Sequence, residues 1–299
     1  MQEIKRVIAL GFFDGVHLGH GALLRRVAQV AEELKAVPAA LTFADHPKTF
    51  VGSNPVSLIN TPEDRTSLMK SVYGMEEVIV LPFDRAMMEL PWDRFVTEVL
   101  AERFHAVHVV AGHDYHFGHK GQGNPQRLQE LCAALGIGCD IIERVELDGV
   151  TVSSTHIRTL LEAGDMENAR RFLGHPHVLS GKVLPGRQIG RTIGIPTANL
   201  IIPQRVIVPA YGVYATRVVT EQGTFSAVTN VGVRPTVEDD RGVTVEPWLL
   251  DFEGNLYGTE IQVWFYHRLR GERKFNSLEE LQQEIFRNAE QTRSYFDTI

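Results

Sequence analysis

Cysteine is nearly absent from this chain: Cys132 and Cys139 are the only two among 299 residues, too few for a disulfide framework or a thiolate zinc site. Both sit in or beside an apolar stretch and are expected as reduced core residues. Long apolar runs are missing as well; none approaches the roughly 20 residues that a membrane-spanning helix needs. The opening Met1-Gln2-Glu3-Ile4-Lys5-Arg6 also lacks the apolar region of a signal peptide. A cytoplasmic protein without a membrane partner is therefore expected. Positive charge is not in excess, since 30 Lys and Arg stand against 37 Asp and Glu for a net charge of −7, which argues against a broad nucleic-acid surface. Repeats and low-complexity tracts are absent. With 43% apolar and 22% charged residues, the chain is expected to fold throughout, and at ~150 residues per domain its length suits two domains.

The most informative segment is residues 11–20, Gly-Phe-Phe-Asp-Gly-Val-His-Leu-Gly-His, directly after the apolar run Val7-Ile8-Ala9-Leu10. A strand ending in a glycine-rich turn lets backbone N–H groups approach a phosphate, and a helix opening there adds the positive end of its dipole. The spacing predicts that helix from His20 to about Lys35, with His17 and His20 one turn apart and able to reach one oxyanion. A plain surface turn and helix start fits the spacing equally well.

Down to about Arg144, apolar runs of strand length alternate with segments of helical periodicity. Residues 37–43, 77–81, 106–111 and 138–143 are expected as buried strands, and 21–35, 62–73, 92–103 and 125–135 as helices. Such a βαβ series makes an α/β domain with a mostly parallel sheet and ligands at the C-terminal strand ends. Ser153-Ser154-Thr155 should open a further helix carrying Arg158, with a short one at 166–173. Beyond Gly174-His175-Pro176, residues 181–184, 213–219, 225–231, 244–251 and 260–266 look like strands without intervening helices, which predicts an antiparallel barrel or sandwich. A last helix at 277–296 carries Leu278, Leu281, Ile285 and Tyr295 at helical spacing. The boundary is expected near 175–182, dividing the chain into 1–178 and 179–299.

Three further segments fall at the C-terminal edge of the predicted sheet: Thr42-Phe43-Ala44-Asp45-His46-Pro47, Gly112-His113-Asp114-Tyr115-His116-Phe117-Gly118, and Ser153-Ser154-Thr155-His156-Ile157-Arg158. The last offers hydroxyls, N–H groups and a guanidinium to a polyphosphate, and taken alone it also describes an N-cap with a surface arginine. Together with residues 11–20 and Leu81-Pro82-Phe83-Asp84, these segments resemble the Rossmann-like nucleotidyltransferase module of bacterial bifunctional riboflavin kinase/FAD synthetases. The match runs in order over nearly the whole first domain. Asp45 departs from it, standing where the family commonly has proline, and residues 113–119 are unusually rich in histidine. Those histidines lack the cysteine or ordered carboxylate partners of a metal site.

In the second domain, Gly186-Arg187-Gln188-Ile189-Gly190-Arg191-Thr192-Ile193-Gly194 leads into Ile195-Pro196-Thr197-Ala198-Asn199. This is no Walker loop, which needs Gly-Lys-Ser/Thr, and a flexible surface turn has the same composition. Yet Tyr211-Gly212-Val213-Tyr214-Ala215, Asn230-Val231-Gly232-Val233-Arg234-Pro235-Thr236, Val245-Glu246, Leu249-Leu250-Asp251-Phe252 and residues 268–275 follow in the order and spacing of riboflavin kinases. That resemblance covers the whole second domain and implies an antiparallel β-barrel with a terminal helix.

The resemblance implies two consecutive reactions: transfer of the γ-phosphate of ATP to the 5′-hydroxyl of riboflavin, giving FMN, then attack of the FMN phosphate on the α-phosphate of ATP, giving FAD and pyrophosphate. In the second reaction the nucleophile is already an anion, so charge stabilisation and positioning suffice. His17 and His20 would take the α-phosphate, while Arg158 with Ser153, Ser154 and Thr155 would hold the leaving pyrophosphate. Gly11, Phe12, Asp14 and Gly19 would complete the ATP turn, Asp14 by shaping it, and His46, Asp114, Tyr115 and Phe117 would face the flavin. In the first reaction a neutral alcohol must lose its proton. Glu246 would accept it, although a strand glutamate facing outward is the ordinary alternative. Thr197 and Asn199 would hold Mg²⁺, Gly190, Arg191, Gly194, Tyr211 and Gly212 would bind ATP, and Arg268 and Glu272 would sit on a flap near the flavin. Asn288 stands where that family's helix often carries an acid, which bears on one flavin contact. Riboflavin, FMN and ATP are then the partners, with no nucleic acid, no membrane, and only weak homo-oligomerisation. Two rivals are a flavin-binding regulator with one or both sites inactive and a nucleotidyltransferase for another acceptor, such as a pantetheine or nicotinamide phosphate. The intact His17, His20, Arg158, Thr197, Asn199 and Glu246 disfavour the first, and the kinase-like barrel disfavours the second.

Overall fold

The computed structural model describes residues 4–46, 57–185, 194–203, 205–233 and 243–299. Its contacts form two compact units, Met1–Val56 with Pro62–Ser154, and Ser57–Thr61 with Thr155–Ile299. Among the described residues no helix is long and apolar enough to cross a membrane.

The first unit is an α/β fold. Its strands are β1 (Arg6–Leu10), β2 (Val37–Phe43), β3 (Glu77–Leu81), β4 (Ala106–Gly112) and β5 (Gly138–Ile142), in the sheet order β3-β2-β1-β4-β5. Every pairing is parallel. Val7, Ile8 and Ala9 of β1 are fully buried, as a central strand covered on both faces requires. Helix α1 (Leu18–Leu34) turns Leu24, Val27, Val30 and Ala31 inward. It starts at Leu18, ahead of the expected His20, because the His17 ring caps it by accepting the His20 N–H at 3.3 Å. Helix α2 (Pro62–Tyr73) occupies the expected span.

Two short helices follow β3. Helix α3 (Arg85–Glu89), which the apolar pattern does not announce, is capped by Asp84 accepting the Met87 N–H at 2.9 Å. Helix α4 (Trp92–Arg94) runs into π-helical turns at Phe95–Arg103, which close with the Phe104 N–H donating to Val99 O at 3.1 Å. The expected helix at 92–103 is thus present with i→i+5 bonding, which turns Phe95, Val96, Val99 and Leu100 into the core. Helix α5 (Pro125–Ala134) and a two-stranded hairpin, β6 (Glu146–Leu147) with β7 (Val150–Thr151), complete the unit.

Helix α6 (Ser154–Ala163) begins where the two units divide, and α7 (Met166–Leu173) follows it. Both group with the barrel rather than with the sheet, which moves the division by contacts ahead of the expected 178/179. Leu161 O accepts the Ala210 N–H at 3.0 Å, Glu167 pairs with His267, and Arg170 lies over the Tyr266 ring. The barrel itself is β8 (His177–Leu184), β9 (Asn199–Leu200), β10 (Gly212–Thr220), β11 (Gly223–Val233), β12 (Val243–Leu249) and β13 (Glu260–Arg270), closed in the order β10-β11-β12-β9-β8-β13. All its pairings are antiparallel. Strand β8 starts four residues before the expected 181, and β12 ends before Asp251, whose φ of 58° leaves the strand region. Tyr214 and Phe265 pack edge to face in the interior, and the buried Thr216 and Thr229 hydroxyls meet at 2.6 Å. Helix α8 (Leu278–Phe296), capped by Ser277, lays Ala289 against Val213, Val228 and Leu250.

His177, at the first position of β8, is 1% exposed and sits beside His175; burial and that neighbour push its pKa down to about 3 from the usual 6.5. The unfolded chain binds this proton near pH 6.5 and the folded chain only near pH 3, so stability falls as pH drops through that window. His177→Phe removes the titrating ring. Between about pH 7.5 and 4.5 its urea-unfolding free energy should drop by ~2 kcal/mol less than that of the unmodified chain. Equal drops would show that His177 does not drive acid unfolding.

Candidate functional site

The reversal of strand order between β1 and β4 opens a crevice at the C-terminal edge of the sheet, the usual place for a ligand in such folds. The turn after β1 lies there and is strained. Phe13 and Val16 adopt positive φ of 59° and 43°, a region that a β-branched residue rarely enters and that the surroundings must hold in place. Both side chains are fully buried, and Val16 N–H donates to Phe13 O at 3.0 Å. The turn delivers His17 to the N-terminus of α1, where its ring stacks on His20 with centroids 3.6 Å apart. Gly19 makes room for this, since a Cβ there would stand 3.1 Å from the His17 ring. His17 accepts the His20 N–H at Nδ1, so its neutral ring carries a proton on Nε2, where an anion can take it. Burial, then His17 and Arg65, hold the His20 pKa well below the usual value. Its buried Nδ1 has no hydrogen-bond partner among the described residues. The result is a pair of neutral imidazoles and helix amides facing a crevice, suited to hydrogen-bond phosphate oxygens.

Beneath this turn lies a residue that the sequence pattern did not single out. Arg65 of α2 is fully buried and donates to Phe12 O, to Phe43 O at 3.0 Å, to Thr42 Oγ1 at 3.3 Å and to Ala44 O at 3.4 Å. Burial lowers its pKa to about 10, against the pull of Asp14, Glu63 and Asp45, and it stays a cation at neutral pH. Asp14 is 2% exposed and its carbonyl accepts the Ser154 hydroxyl at 2.9 Å. Gly11 follows β1, its N–H donating to Leu41 O at 3.3 Å.

The other edge loops of the first unit carry the residues expected at the flavin. The half-buried His46, after β2, meets the Phe12 ring edge-on at 4.5 Å. After β4, Asp114 is exposed, Tyr115 stacks on Phe117 at 5.4 Å, and Phe117 is 7% exposed and packs on Phe95. Among the described residues no three His, Cys, Asp or Glu side chains are grouped to hold a metal. Ser153 and Ser154 belong to the first unit, whereas Thr155 and Arg158 belong to the second, where Arg158 Nε donates to Ser57 O at 2.8 Å. Pro47 of the second loop lies outside the described residues.

In the barrel, register assembles a site that spacing could not. Asn230 of β11 stands directly opposite Glu246 of β12. On the other side of β12, Leu200 pairs with Val245 and the Ala198 N–H donates to Pro247 O at 2.9 Å, so the antiparallel register sets Asn199 against Glu246. Asn230, Glu246 and Asn199 thus form a row across three strands, with neighbouring Cβ atoms about 5 Å apart. Thr197 lies two residues before Asn199, just ahead of β9. All four are half-buried, while Val231, Val245 and Leu200 face the interior. Glu272 reaches this row, its Oε1 lying 2.6 Å from where a Cβ of Gly232 would stand, with Asn230 Nδ2 3.5 Å from the same point. Carboxylate, amide and hydroxyl oxygens are the donors a hard divalent cation prefers, so these residues fit Mg²⁺.

Arg268 donates to Tyr211 O at 2.7 Å and to Ala163 O at 3.4 Å, placing it under the start of β10, where Gly212 follows. Asn288 is 1% exposed and accepts the Arg270 Nε–H at 3.1 Å, while Glu284, one turn earlier, lies 3.6 Å from Arg270 and 3.8 Å from Arg273. Gly194 is exposed; Gly190, Arg191 and residues 234–236 lie outside the described residues.

Two family models match the chain, FAD synthetase over residues 1–156 and riboflavin kinase over residues 173–296. The bifunctional riboflavin kinase/FMN adenylyltransferase of Bacillus subtilis (strain 168) is 34% identical over 302 residues, spanning 100% of this chain and 95% of its own. That of Haemophilus influenzae (strain ATCC 51907 / DSM 11121 / KW20 / Rd) is 36% identical over 293 residues, spanning 97% and 94%. A crystal structure described as a macrolide-efflux protein from Streptococcus pneumoniae superposes with a TM-score of 0.82 at 30% identity, over 98% of this chain and 95% of that one. Both domains occur in one chain, in the family's order and along almost its whole length, and the chain belongs to the family of bifunctional riboflavin kinase/FMN adenylyltransferases.

Proposed function

We propose that this protein phosphorylates riboflavin to FMN in its C-terminal domain and adenylylates FMN to FAD in its N-terminal domain, using ATP for both. The observation that supports two distinct reactions is that a stacked, neutral histidine pair and a carboxylate flanked by amides stand in separate units. Functionally we divide the chain into residues 1–178 and 179–299. We place it in the cytoplasm, with riboflavin, FMN and ATP as its partners, without nucleic acid or membrane, and with any self-association weak.

In adenylyl transfer, His17 through Nε2–H, His20 and the amides of α1 bind the α-phosphate of ATP, with Gly11, Phe12, Asp14 and Gly19 shaping the turn. Charge developing on the α-phosphate oxygens is met by donors already in place. Arg158, Ser153, Ser154 and Thr155 are assigned to the leaving pyrophosphate on the strength of the motif. His46, Asp114 and Tyr115 line the flavin side, and Phe117 backs Tyr115. No residue need deprotonate the attacking FMN phosphate. In the kinase reaction, Glu246 takes the proton of the riboflavin 5′-hydroxyl as that oxygen attacks the γ-phosphate. Thr197 and Asn199 hold Mg²⁺, which when bound neutralises phosphate charge. Gly190, Arg191, Gly194, Tyr211 and Gly212 surround ATP, Glu272 reaches toward the flavin, and Arg268 holds the Tyr211 carbonyl.

Given riboflavin, ATP and Mg²⁺, the purified protein should accumulate FMN and then FAD on a chromatogram; product ending at FMN would sink the adenylyltransferase assignment. Glu246→Gln should cut FMN formation by ~10²–10⁴-fold, the usual worth of a general base, while FMN-to-FAD conversion stays near the unmodified rate. The double substitution His17→Ala/His20→Ala should do the reverse, with a loss of at least ~10³-fold in FAD formation. If either variant lost both activities while remaining folded, the sites would not be separate. Chelation by EDTA should stop FMN formation, and added Mg²⁺ should restore it; activity that persists in EDTA would remove the metal from Thr197 and Asn199.

A further inference from the structure

We propose that Arg65 is a positioning residue of adenylyl transfer: by tying the turn after β1 to the turn after β2, it sets the spacing between the phosphate-binding histidines and the flavin-side loop. The proposal rests on the assignment of that reaction to the first unit. Helix α2 also buries Asp64, Leu68, Met69 and Tyr73, and an apolar residue at position 65 would avoid the cost of desolvating a guanidinium. The partners Arg65 takes are not those of a structural ion pair. It donates to the carbonyls of Phe12, Phe43 and Ala44 and to the Thr42 hydroxyl, which in turn donates to Phe12 O at 2.8 Å. Every acceptor therefore lies on the turn after β1, at the end of β2 or on the turn that follows it.

The side chains continue the connection. The Arg65 guanidinium lies 4.1 Å from the centroid of the Phe12 ring, and that ring meets the His46 ring at 4.5 Å. On the other side, Phe12 is followed by Phe13 and Val16, the two residues held at positive φ just before His17. Backbone in that region persists only where its surroundings over-determine it, and the grip on Phe12 O is such a restraint. A guanidinium spreads its donors over a planar fork that can reach carbonyls on both turns, whereas a lysine ammonium is a single point.

Arg65→Lys and Arg65→Met in the full chain test this, with FAD formation from FMN, FMN formation from riboflavin and thermal unfolding measured on the same preparations. Arg65→Lys keeps the charge and should fold, yet kcat for FAD formation should fall ~100-fold, the cost of about 1 Å of misplacement. Its KM for ATP and its kinase activity should stay within about threefold, because the histidine side chains that bind ATP are retained and the barrel is a separate unit. Arg65→Met should lose at least as much, and if it does not fold, the lysine variant decides. Arg65→Lys that forms FAD within about threefold of the normal kcat overturns the proposal. So does a loss of both activities that matches the unfolded fraction. Failure of the unmodified chain to make FAD would refute the underlying assignment, and is seen without any variant.

Discussion

A parallel sheet sends the outgoing loop of every strand to one edge, and that constraint builds the first unit. With β1 paired to β2 on one side and β4 on the other, the turns carrying His17, His46 and Asp114 reach the same edge although they are far apart in sequence. Hydrogen bonds within the sheet alone would leave these loops free to drift. Their alignment comes from contacts below the edge: Arg65 grips the first two turns, and the His113 N–H anchors the third to Ile142 O at 2.9 Å. The positive φ of Phe13 and Val16 is affordable because both side chains are buried beneath the turn they distort.

The barrel solves the same problem by alternation. Along β12, Val245, Pro247 and Leu249 point inward, and Glu246 between them must point out. Closure then matters more than sequence order, because β9, only two residues long, is drawn in beside β12 and carries Asn199 to Glu246. Three polar residues from distant parts of the chain become neighbours. Helix α8 flanks this face, with Phe286 edge-on to Trp248 at 5.8 Å.

Much of this was legible beforehand. Strands β2 and β3 and helices α2 and α7 occupy their expected residues because each is an apolar pattern with clear stops at both ends. The start of β8 was hidden by His175, Pro176 and His177, which look like a break although both histidines are buried in place. The π-helical turns were invisible because apolar periodicity over nine residues does not distinguish i→i+4 from i→i+5 bonding. Arg65 was missed for a physical reason: in Glu63-Asp64-Arg65 it reads as part of a solvated charged face, and the carbonyls that compensate its burial come from residues 12, 43 and 44. Asn230 belonged to a recognised motif, yet only the register of β11 on β12 sets it against Glu246.

The electrostatics of the two sites fit the order of the reactions. In the proposed kinase reaction riboflavin brings a neutral alcohol, and Glu246 is the carboxylate we assign to take its proton. Once the proton taken by that carboxylate passes to solvent, the phosphorylated product and the restored carboxylate are both anionic, and like charges a few ångströms apart repel. The site that makes FMN is thus poorly suited to keep it. At the first unit the His20 pKa is held well below its usual value, His17 accepts the His20 N–H at Nδ1, and the buried Arg65 contributes a positive charge behind the turn. On the roles proposed above, the carboxylate of the barrel row and the histidine pair of the first unit favour release of FMN from the site that makes it and capture at the site that uses it.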